Sequence, residues 1–253
     1  MRTLVAVPVY NEQKHVARVL ERLREHHAHD VLVIDDGSTD ATPQLLATFP
    51  VEVIRHSTNR GYGRSMQDAF RWAAVDGFDW VITMDCDEQH EPESLPAFFE
   101  AMQADTADVI SGSRYLQPID EQDIDIRPPE DRREINGIIT AELNERLGLE
   151  LTDAFCGFKA YRVRSLAGLN FDEDGYAFPM QFWVQAVAAG LRIAEVPIRL
   201  IYNDLNRSFG GPLDDRDNRL AHYRRVLHCE LERCAARLPA SSREGVETNC
   251  CGS

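Results

Sequence analysis

The sequence lacks an apolar run long enough to cross a membrane. A spanning helix needs roughly 18–20 consecutive apolar residues, and no segment of the 253-residue chain approaches that length. The apolar stretch between Met1 and Pro8 is too short for a signal peptide, and it leads into a strand-like pattern. We therefore expect a cytoplasmic protein, and a peripheral contact with a membrane is left open.

Positive charge is scarce. The chain has 27 lysine and arginine residues against 42 aspartate and glutamate residues, which gives a formal net charge of −15. An acidic surface repels the phosphates of nucleic acids and anionic lipid headgroups. We therefore expect no nucleic-acid partner, and a phosphate-bearing ligand has to be held by local cations or by a metal ion.

Cysteine occurs without the spacing of a zinc site. The six cysteines include no C-x-x-C pair and no cysteine–histidine pattern typical of zinc ligands. Reduced thiols are the expected state in a cytoplasmic chain. Cys250 and Cys251 fall in a polar stretch, and we expect residues 239–253 to form a disordered tail.

Apolar strands alternate with amphipathic helices in the first part of the chain. Continuous apolar runs at 3–9, 31–34 and 80–84 are separated by segments with helical spacing. This alternation predicts an α/β fold with a mostly parallel central sheet, helices on both faces and a Rossmann-like nucleotide-binding half at residues 1–114. Residues 115–238 would complete a single domain as its acceptor half.

Three segments stand out in this second half. Residues 117–134 are rich in acidic residues and proline, which predicts a mobile loop. A helix with an apolar face is predicted from Ile135 to Leu147. Residues 217–238 have a long amphipathic pattern with arginines in the middle, and this helix could lie at a membrane interface.

The most informative stretch is Asp85-Cys86-Asp87, which ends the apolar run at 80–84. Ligands of open α/β sheets bind in the crevice at the carboxyl ends of the strands, and both carboxylates would enter it. Two oxygen ligands on a short turn suit Mg²⁺ or Mn²⁺, which also bind substrate phosphates. The pattern fits an enzyme that uses a nucleoside diphosphate, while a solvated turn with a helix cap is the alternative for the pair alone.

Several motifs follow one another in a fixed order. They are Pro8-Val9-Tyr10-Asn11-Glu12, Asp35-Asp36-Gly37-Ser38-Thr39-Asp40, Asn59-Arg60-Gly61-Tyr62-Gly63, Asp85-Cys86-Asp87-Glu88-Gln89-His90, Gly112-Ser113-Arg114-Tyr115, Asp153 with Cys156-Gly157-Phe158-Lys159, and Glu195-Val196-Pro197-Ile198. As an ordered set they resemble the family 2 glycosyltransferases of the GT-A fold. Within that family the chain is most similar to the polyprenyl-phosphate (dolichol-phosphate) mannosyltransferase branch, over residues 3–211.

The resemblance implies roles for individual residues. The donor nucleotide would contact Pro8, Tyr10, Glu12, Val33, Asp35, Asp85, Cys86, Arg114 and Arg207. The cation, Mg²⁺ or Mn²⁺, would be bound by Asp85, Asp87 and Gln89. The candidate catalytic residues are Asp87, Arg114 and Asp153.

Structural roles are the alternatives for several of these residues. Tyr10 can pack on a neighbouring helix, and Glu12 can interact with a helix dipole. Asp35 is assigned to the ligand, whereas the residues from Asp36 to Asp40 are assigned to the turn. Arg114 is either a bidentate phosphate ligand or the ion-pair partner of the aspartates beside it.

Asp153 and the arginines of the predicted loop concern the acceptor. A carboxylate at the position of Asp153 can act as a general base, but an acceptor phosphate is already anionic and needs none. Asp153 would then orient the acceptor or a sugar hydroxyl, or it belongs to a helix loop. Arg132 and Arg133 are candidates for binding the acceptor phosphate.

The chain departs from the pattern of the branch at two places. After Val196-Pro197-Ile198 the branch has an arginine and then a serine–lysine pair that bind the diphosphate, but here Asn203 and Phe209 occupy the arginine and lysine positions. Arg207 is the local substitute that we assign to the diphosphate. Gln181 stands where a glutamate is usual. The donor base and the acceptor therefore stay undetermined.

The resulting hypothesis is an inverting, metal-dependent glycosyltransferase. It would move a hexose, mannose or glucose, from a GDP- or UDP-sugar to polyprenyl phosphate, and a soluble acceptor is the alternative. A lipid acceptor would call for an interfacial helix or a membrane-anchoring partner. A non-catalytic sugar-nucleotide-binding protein would explain the altered diphosphate motif. A nucleotidylyltransferase is disfavoured because no glycine-rich loop with basic residues directly follows the first strand.

Overall fold

The computed structural model describes residues 1–26, 30–117, 129–201 and 210–246, and one seven-stranded sheet lies at its centre. The strands are β1 (Thr3–Val9), β2 (Val31–Asp35), β3 (Glu52–Arg55), β4 (Trp80–Thr83), β5 (Val109–Ser113), β6 (Lys159–Arg162) and β7 (Ile193–Pro197). Their order is β3-β2-β1-β4-β6-β5-β7, and β6 runs antiparallel to both of its neighbours while the other pairs are parallel. The predicted α/β fold with a mostly parallel sheet is confirmed.

Helices cover both faces of this sheet. They are α1 (Val16–His26), α2 (Thr42–Leu46), α3 (Tyr62–Val75), α4 (Leu95–Gln103), α5 (Glu130–Leu147), α6 (Val163–Leu166), α7 (Phe178–Ala188) and α8 (Arg216–Arg233). Successive residues of a strand point to opposite faces. Accordingly, Leu4 and Ala6 of β1 pack in one core with α3, α5, α7 and α8, whereas Val5 and Val7 pack in the other with α1 and α4. Among the described residues, no helix is both long and apolar enough to cross a bilayer.

The strand register brings the predicted motifs to one edge of the sheet. Strand β1 lies between β2 and β4, with Val9 opposite Asp35 and Ala6 opposite Thr83. These three strands run in the same direction, so the residues that follow them emerge side by side. The motifs that begin at Tyr10 and Asp85 therefore meet there.

Helix α5 begins earlier than predicted. The sequence indicated a loop over 117–134, but residues from Glu130 onward are helical, and residues 118–128 lie outside the described part of the chain. Pro129 precedes the first turn, which carries Glu130 and Asp131. Proline and acidic residues are favourable at a helix N-terminus, because of the fixed backbone angle and the helix dipole respectively. The proline and acidic residues that suggested a loop thus mark the start of a helix.

Helix α8 is part of the core and does not have a free apolar face. It ends at Arg233, and its residues Tyr223, Leu227 and Leu231 are buried against α5 and α7. Arg219 is also buried, at 3% exposure. The suggestion that residues 217–238 form an interfacial helix is therefore wrong, because the apolar face is already occupied by the protein.

The predicted disordered tail is also partly structured. Residues Ala240–Arg243 form a short 3₁₀ helix, and Ser242 is fully buried. Arg146 of α5 donates from Nη1 to the carbonyl of Ser242 (3.2 Å) and to that of Glu244 (2.9 Å). The expectation of disorder is thus wrong for residues 239–246, since an arginine distant in sequence satisfies these carbonyls. Residues 247–253 lie outside the described part of the chain.

A buried carboxylate joins α7 to α8. Glu230 is 2% exposed and accepts hydrogen bonds from Gln181 Nε2 (3.0 Å) and Gln185 Nε2 (2.8 Å). The Oε1 of Gln181 accepts from the backbone N–H of Asp172 (2.9 Å). A glutamine both donates and accepts, whereas an ionised glutamate only accepts. This explains why position 181 carries an amide opposite a buried acid.

We expect Glu230→Ala to lower the free energy of unfolding by about 2–4 kcal/mol, because one buried N–H group of each glutamine amide loses its acceptor. Urea denaturation of the variant measures the loss. The exposed Glu25→Ala on α1 is the control, and its effect should stay within about 0.5 kcal/mol. An unchanged denaturation midpoint for Glu230→Ala would contradict the structural importance of this contact.

Candidate active site

A cleft of about 820 Å³ opens at the carboxyl ends of β1, β2 and β4. Eight of the predicted site residues line it: Pro8, Tyr10, Glu12, Asp85, Cys86, Asp87, Gln89 and Arg114. Three others, Val33, Asp35 and Asp153, are fully buried and are not part of its wall. Arg207 lies outside the described residues. The structure thus brings most of the predicted residues into one cavity.

The turn after β1 forms the first wall. Tyr10 is 45% exposed at the cleft, and Glu12 is nearly buried at the start of α1, where its carbonyl accepts from the N–H of Val16 (2.9 Å). Asn11 has a positive φ of 56° and accepts at Oδ1 from the N–H of Thr39 (2.8 Å). Asn11 therefore ties the β1 turn to the β2 turn.

The two aspartates after β2 differ in their position relative to the cleft. Strand β2 extends to Asp35, which pairs with Val9 and Arg55 in the sheet and is fully buried. Asp36 lines the cleft and accepts from the backbone N–H of Arg60 (2.7 Å) and of Gly61 (2.8 Å). Asp35 was assigned to the ligand, but it is Asp36 that borders the cleft. The strand is one residue longer than predicted, which moves Asp35 into the ladder.

Val33 is not part of the cleft wall either. Its side chain is fully buried in the core beneath α1, and its backbone lies within the ladder between β1 and β3. The structure therefore does not support the expectation that Val33 contacts the donor nucleotide.

The aspartates after β4 lie on the floor of the cleft. The Oδ1 of Asp87 accepts from the N–H of Gln89 (3.0 Å), and Glu88 between them has a positive φ of 59°. Asp85 keeps 32% of its side chain exposed. Cys86 points the other way, since its side chain is 2% exposed in the apolar core. Alternate residues of the turn therefore face the cleft and the protein interior.

His90 is buried directly behind this turn. Its Nδ1 lies 3.0 Å from the backbone nitrogen of Asp85 and 3.7 Å from Oδ2 of the same residue. Only the shorter distance is a hydrogen bond, so Nδ1 accepts from the N–H of Asp85. Burial favours the neutral ring, which this hydrogen bond requires, whereas the carboxylates of Asp85 and Asp87 and the contact with Cys156 raise the pKa of His90 to about 9 when no cation is bound. A cation at the aspartates would cancel that carboxylate effect.

Arg114 at the end of β5 forms a two-point ion pair with Asp153. Its Nε donates to Oδ2 (2.6 Å) and its Nη2 to Oδ1 (2.9 Å), while Asn136 Nδ2 also donates to Oδ1 (2.8 Å). Burial alone would raise the pKa of Asp153, but the neighbouring guanidinium outweighs it and holds the pKa below its ordinary value. Asp153 thus lies behind Arg114, and a direct role as base or sugar ligand is not supported.

Comparisons with known proteins identify the family. The model of "Glycosyl transferase family 2" matches residues 4–169. The chain belongs to glycosyl transferase family 2. It is 35% identical over 217 residues to undecaprenyl-phosphate mannosyltransferase of Micrococcus luteus, covering 82% of this chain and 87% of that protein. It is 30% identical to polyprenol monophosphomannose synthase of Mycolicibacterium smegmatis, covering 82% and 80%. The family predicted from the ordered motifs is confirmed.

A solved structure gives the same fold. Glucosyl-3-phosphoglycerate synthase from Mycobacterium tuberculosis, in complex with Mn²⁺, UDP-glucose and phosphoglyceric acid, superposes with a TM-score of 0.68. The match covers 95% of this chain and 81% of that one at 20% identity, a level that shows the fold alone. The same enzyme has also been crystallised with Mg²⁺ and UDP.

The family 2 glycosyltransferase has further cleft residues that the sequence did not single out for a role. Lys159 is 3% exposed, contacts the carbonyl of Cys156 and lies 5.3 Å above the ring of Trp183. Its burial lowers the pKa of the ammonium group. The sequence signal that could have identified it is its position at the end of the motif Cys156-Gly157-Phe158-Lys159.

Arg219 gave no such signal. It reaches the cleft from α8 and pairs with Asp131, which is 88 positions away in sequence. A pair so distant along the chain has no local sequence pattern, and only the packing of α8 on α5 reveals it.

Proposed function

We propose that this family 2 glycosyltransferase moves a hexose, mannose or glucose, from a nucleoside-diphosphate sugar to polyprenyl phosphate, with inversion at the anomeric carbon. The observation that carries the proposal is a single cleft lined by the strand-end aspartates Asp85 and Asp87, the nucleotide-side residues Tyr10 and Glu12, and the partly buried cation Arg114. The similarity to two polyprenyl-phosphate mannosyltransferases supports the acceptor class.

The donor set on the cleft floor fits a divalent cation. Asp85, Asp87 and Gln89 offer the oxygen ligands that Mg²⁺ and Mn²⁺ prefer. In the described part of the chain, no group of three or more His, Cys, Asp or Glu side chains is arranged to hold a metal ion. Because Mg²⁺ is octahedral, two carboxylates and an amide from the protein would leave coordination positions for donor phosphates and water. When bound, the cation would neutralise the charge of the departing diphosphate.

The nucleotide would lie against the turns after β1 and β2. The ring of Tyr10 would stack on the base, and Glu12 would hydrogen-bond the base or the ribose. Asp36 supports this wall, since it holds the loop at Arg60 and Gly61 in place. Pro8 and the backbone of Cys86 complete the surface.

Arg114 would bind the acceptor phosphate. Two of its five N–H donors are used by Asp153, and Nη1 has no hydrogen-bond partner among the described residues, so both N–H groups of Nη1 remain for a phosphate. An oxygen of the bound phosphate attacks the anomeric carbon while the bond from that carbon to the diphosphate breaks. Because this nucleophile is already anionic, no residue has to remove a proton. Asp153 would act by fixing the plane of the guanidinium.

A soluble phosphate acceptor is the second candidate. The similar synthase from M. tuberculosis is crystallised with phosphoglyceric acid, and a guanidinium recognises the phosphate of either acceptor class. For polyprenyl phosphate, the protein would work in the cytoplasm at the membrane surface, in contact with lipid or with an anchoring partner.

We expect the purified chain, given Mn²⁺ and a labelled GDP- or UDP-hexose, to transfer label to undecaprenyl phosphate in detergent. The product is measured by extraction into an organic phase, and transfer should stop when EDTA removes the cation. Parallel reactions with 3-phosphoglycerate test the soluble acceptor. If the chain binds the donor but neither transfers the sugar nor hydrolyses the donor, it is a sugar-nucleotide-binding protein and not an enzyme.

A further inference from the structure

We infer that His90 is a positioning residue for the cation-binding turn, and that it acts together with the backbone of Gly157. Its ring holds the main chain at Asp85, and Gly157 provides the space into which the Asp85 carboxylate turns. This inference rests on the proposed function, because the position of Asp85 matters to catalysis only if that carboxylate binds a cation.

The first support is the closure of the turn by the histidine itself. His90 accepts at Nδ1 from the N–H of Asp85 (3.0 Å), five residues earlier in the chain. The segment between them includes Glu88 in the left-handed region, with φ of 59°, which is costly for a residue other than glycine. A strained turn persists only when its surroundings hold it, and the imidazole closes it at the start.

The second support is that the ring is itself fixed. His90 is 3% exposed, and its Nε2 lies 3.9 Å from the sulfur of Cys156. The ring centroid is 5.4 Å from that of Phe158, which in turn stacks on Phe98 at 4.5 Å. Cys156 and Phe158 directly precede β6, and Phe98 belongs to α4. Because core residues fix the imidazole, its hydrogen bond to Asp85 fixes the turn relative to the core.

The third support is the lack of space opposite the carboxylate. A Cβ on Gly157 would lie 2.5 Å from Oδ2 and 2.8 Å from Oδ1 of Asp85. The backbone at 157 is fixed, because its carbonyl accepts from Oγ1 of Thr83 (2.7 Å) in β4. Asp85 is thus confined between the histidine that holds its main chain and a glycine that touches its carboxylate.

The test uses two amides that place a polar atom at different ring positions. In His90→Asn the side-chain amide reaches the position of Nδ1, whereas in His90→Gln it reaches that of Nε2. In His90→Leu both are lost. The Mn²⁺ dependence of nucleoside-diphosphate binding is measured for each variant by isothermal titration, and Mn²⁺ binding alone by electron paramagnetic resonance.

We expect His90→Leu and His90→Gln to raise the Mn²⁺ concentration for half-maximal nucleotide binding about 10–100-fold, as for other residues that orient metal ligands. His90→Asn should stay within about threefold of the wild type, because it keeps the bond to the Asp85 N–H. Nucleotide binding without Mn²⁺ should be the same in all. Gly157→Ala should resemble His90→Leu, since its Cβ displaces the Asp85 carboxylate.

Three outcomes would overturn the inference. Equal Mn²⁺ dependence in all four variants and the wild type would show that the turn needs no such support. Equal loss in the asparagine, glutamine and leucine variants, together with lost metal-independent nucleotide binding, would show a general packing defect. If the wild type binds nucleotide but no Mn²⁺, the proposed metal site fails and this inference falls with it.

Discussion

Replacing Asp87 by asparagine is expected to lower kcat/KM for sugar transfer about 10³-fold while the protein stays folded. The loss follows because the variant removes a charged ligand from the group that would stabilise the departing diphosphate. The fold should survive, because the Oδ1 of asparagine can still accept the hydrogen bond from Gln89 that shapes the turn. Steady-state transfer rates across a range of Mn²⁺ concentrations, with thermal melting of the same samples, provide the measurement.

Asp76→Asn is the matched control for this substitution. Asp76 is exposed at the end of α3 and is not part of the cleft wall, so the same loss of one charge should leave transfer unchanged. If Asp87→Asn transferred sugar at the wild-type rate at every Mn²⁺ concentration, the assignment of this carboxylate to the cation would be wrong. A melting temperature lowered together with activity would instead point to an unfolded variant.

The second large effect is expected at the Arg114–Asp153 pair. Arg114→Met should lower the free energy of unfolding by about 3–5 kcal/mol, because it leaves the fully buried Asp153 carboxylate without its cation. The same variant should lose sugar transfer, since no guanidinium remains for the acceptor phosphate. Urea denaturation and transfer assays on one preparation measure both quantities.

The double variant Arg114→Met with Asp153→Asn separates stability from activity. It removes both buried charges, so most of the lost stability should return, while transfer stays absent. Recovery of transfer in the double variant would mean that Arg114 has only a structural role. Failure to recover stability would mean that the buried charge was not the cause of the loss.

The pair also gives the stability a defined pH dependence. The folded protein holds the pKa of Asp153 below its ordinary value of 3.8, so the ionised form stabilises the fold. This contribution is fully present above the pKa of the unfolded chain and is lost as the pH falls through the lower, folded pKa. Melting temperatures measured between pH 7 and pH 3 should therefore fall more steeply for the wild type than for the double variant.

The placement of the turn that carries Asp85 and Asp87 was predictable from the sequence for a physical reason. Asp85 and Asp87 directly follow a continuous apolar strand, and the carboxyl edge of a parallel sheet is where such residues meet. The same argument failed by one position at β2, where Asp35 belongs to the strand and Asp36 borders the cleft. A strand end is only approximately visible in sequence, and a shift of one residue reverses which side chain points outward.

Contacts between distant parts of the chain were beyond the reach of sequence reasoning. Arg114 and Asp153 are 39 positions apart and meet because β5 and the segment before β6 are adjacent in the sheet. The turn near Ser242 is fixed by Arg146 in the same way. Local composition describes such segments as polar or acidic, but it carries no information about the partner that satisfies them.

The antiparallel strand β6 has a consequence for how the protein can be divided. It comes from residues beyond 158, yet it fills the gap between β4 and β5, both of which belong to the first 114 residues. A fragment ending at 114 would leave two apolar strand edges unpaired in the middle of the sheet. We therefore expect the proposed nucleotide-binding and acceptor halves to fold together, so that neither should be obtainable as a stable separate piece.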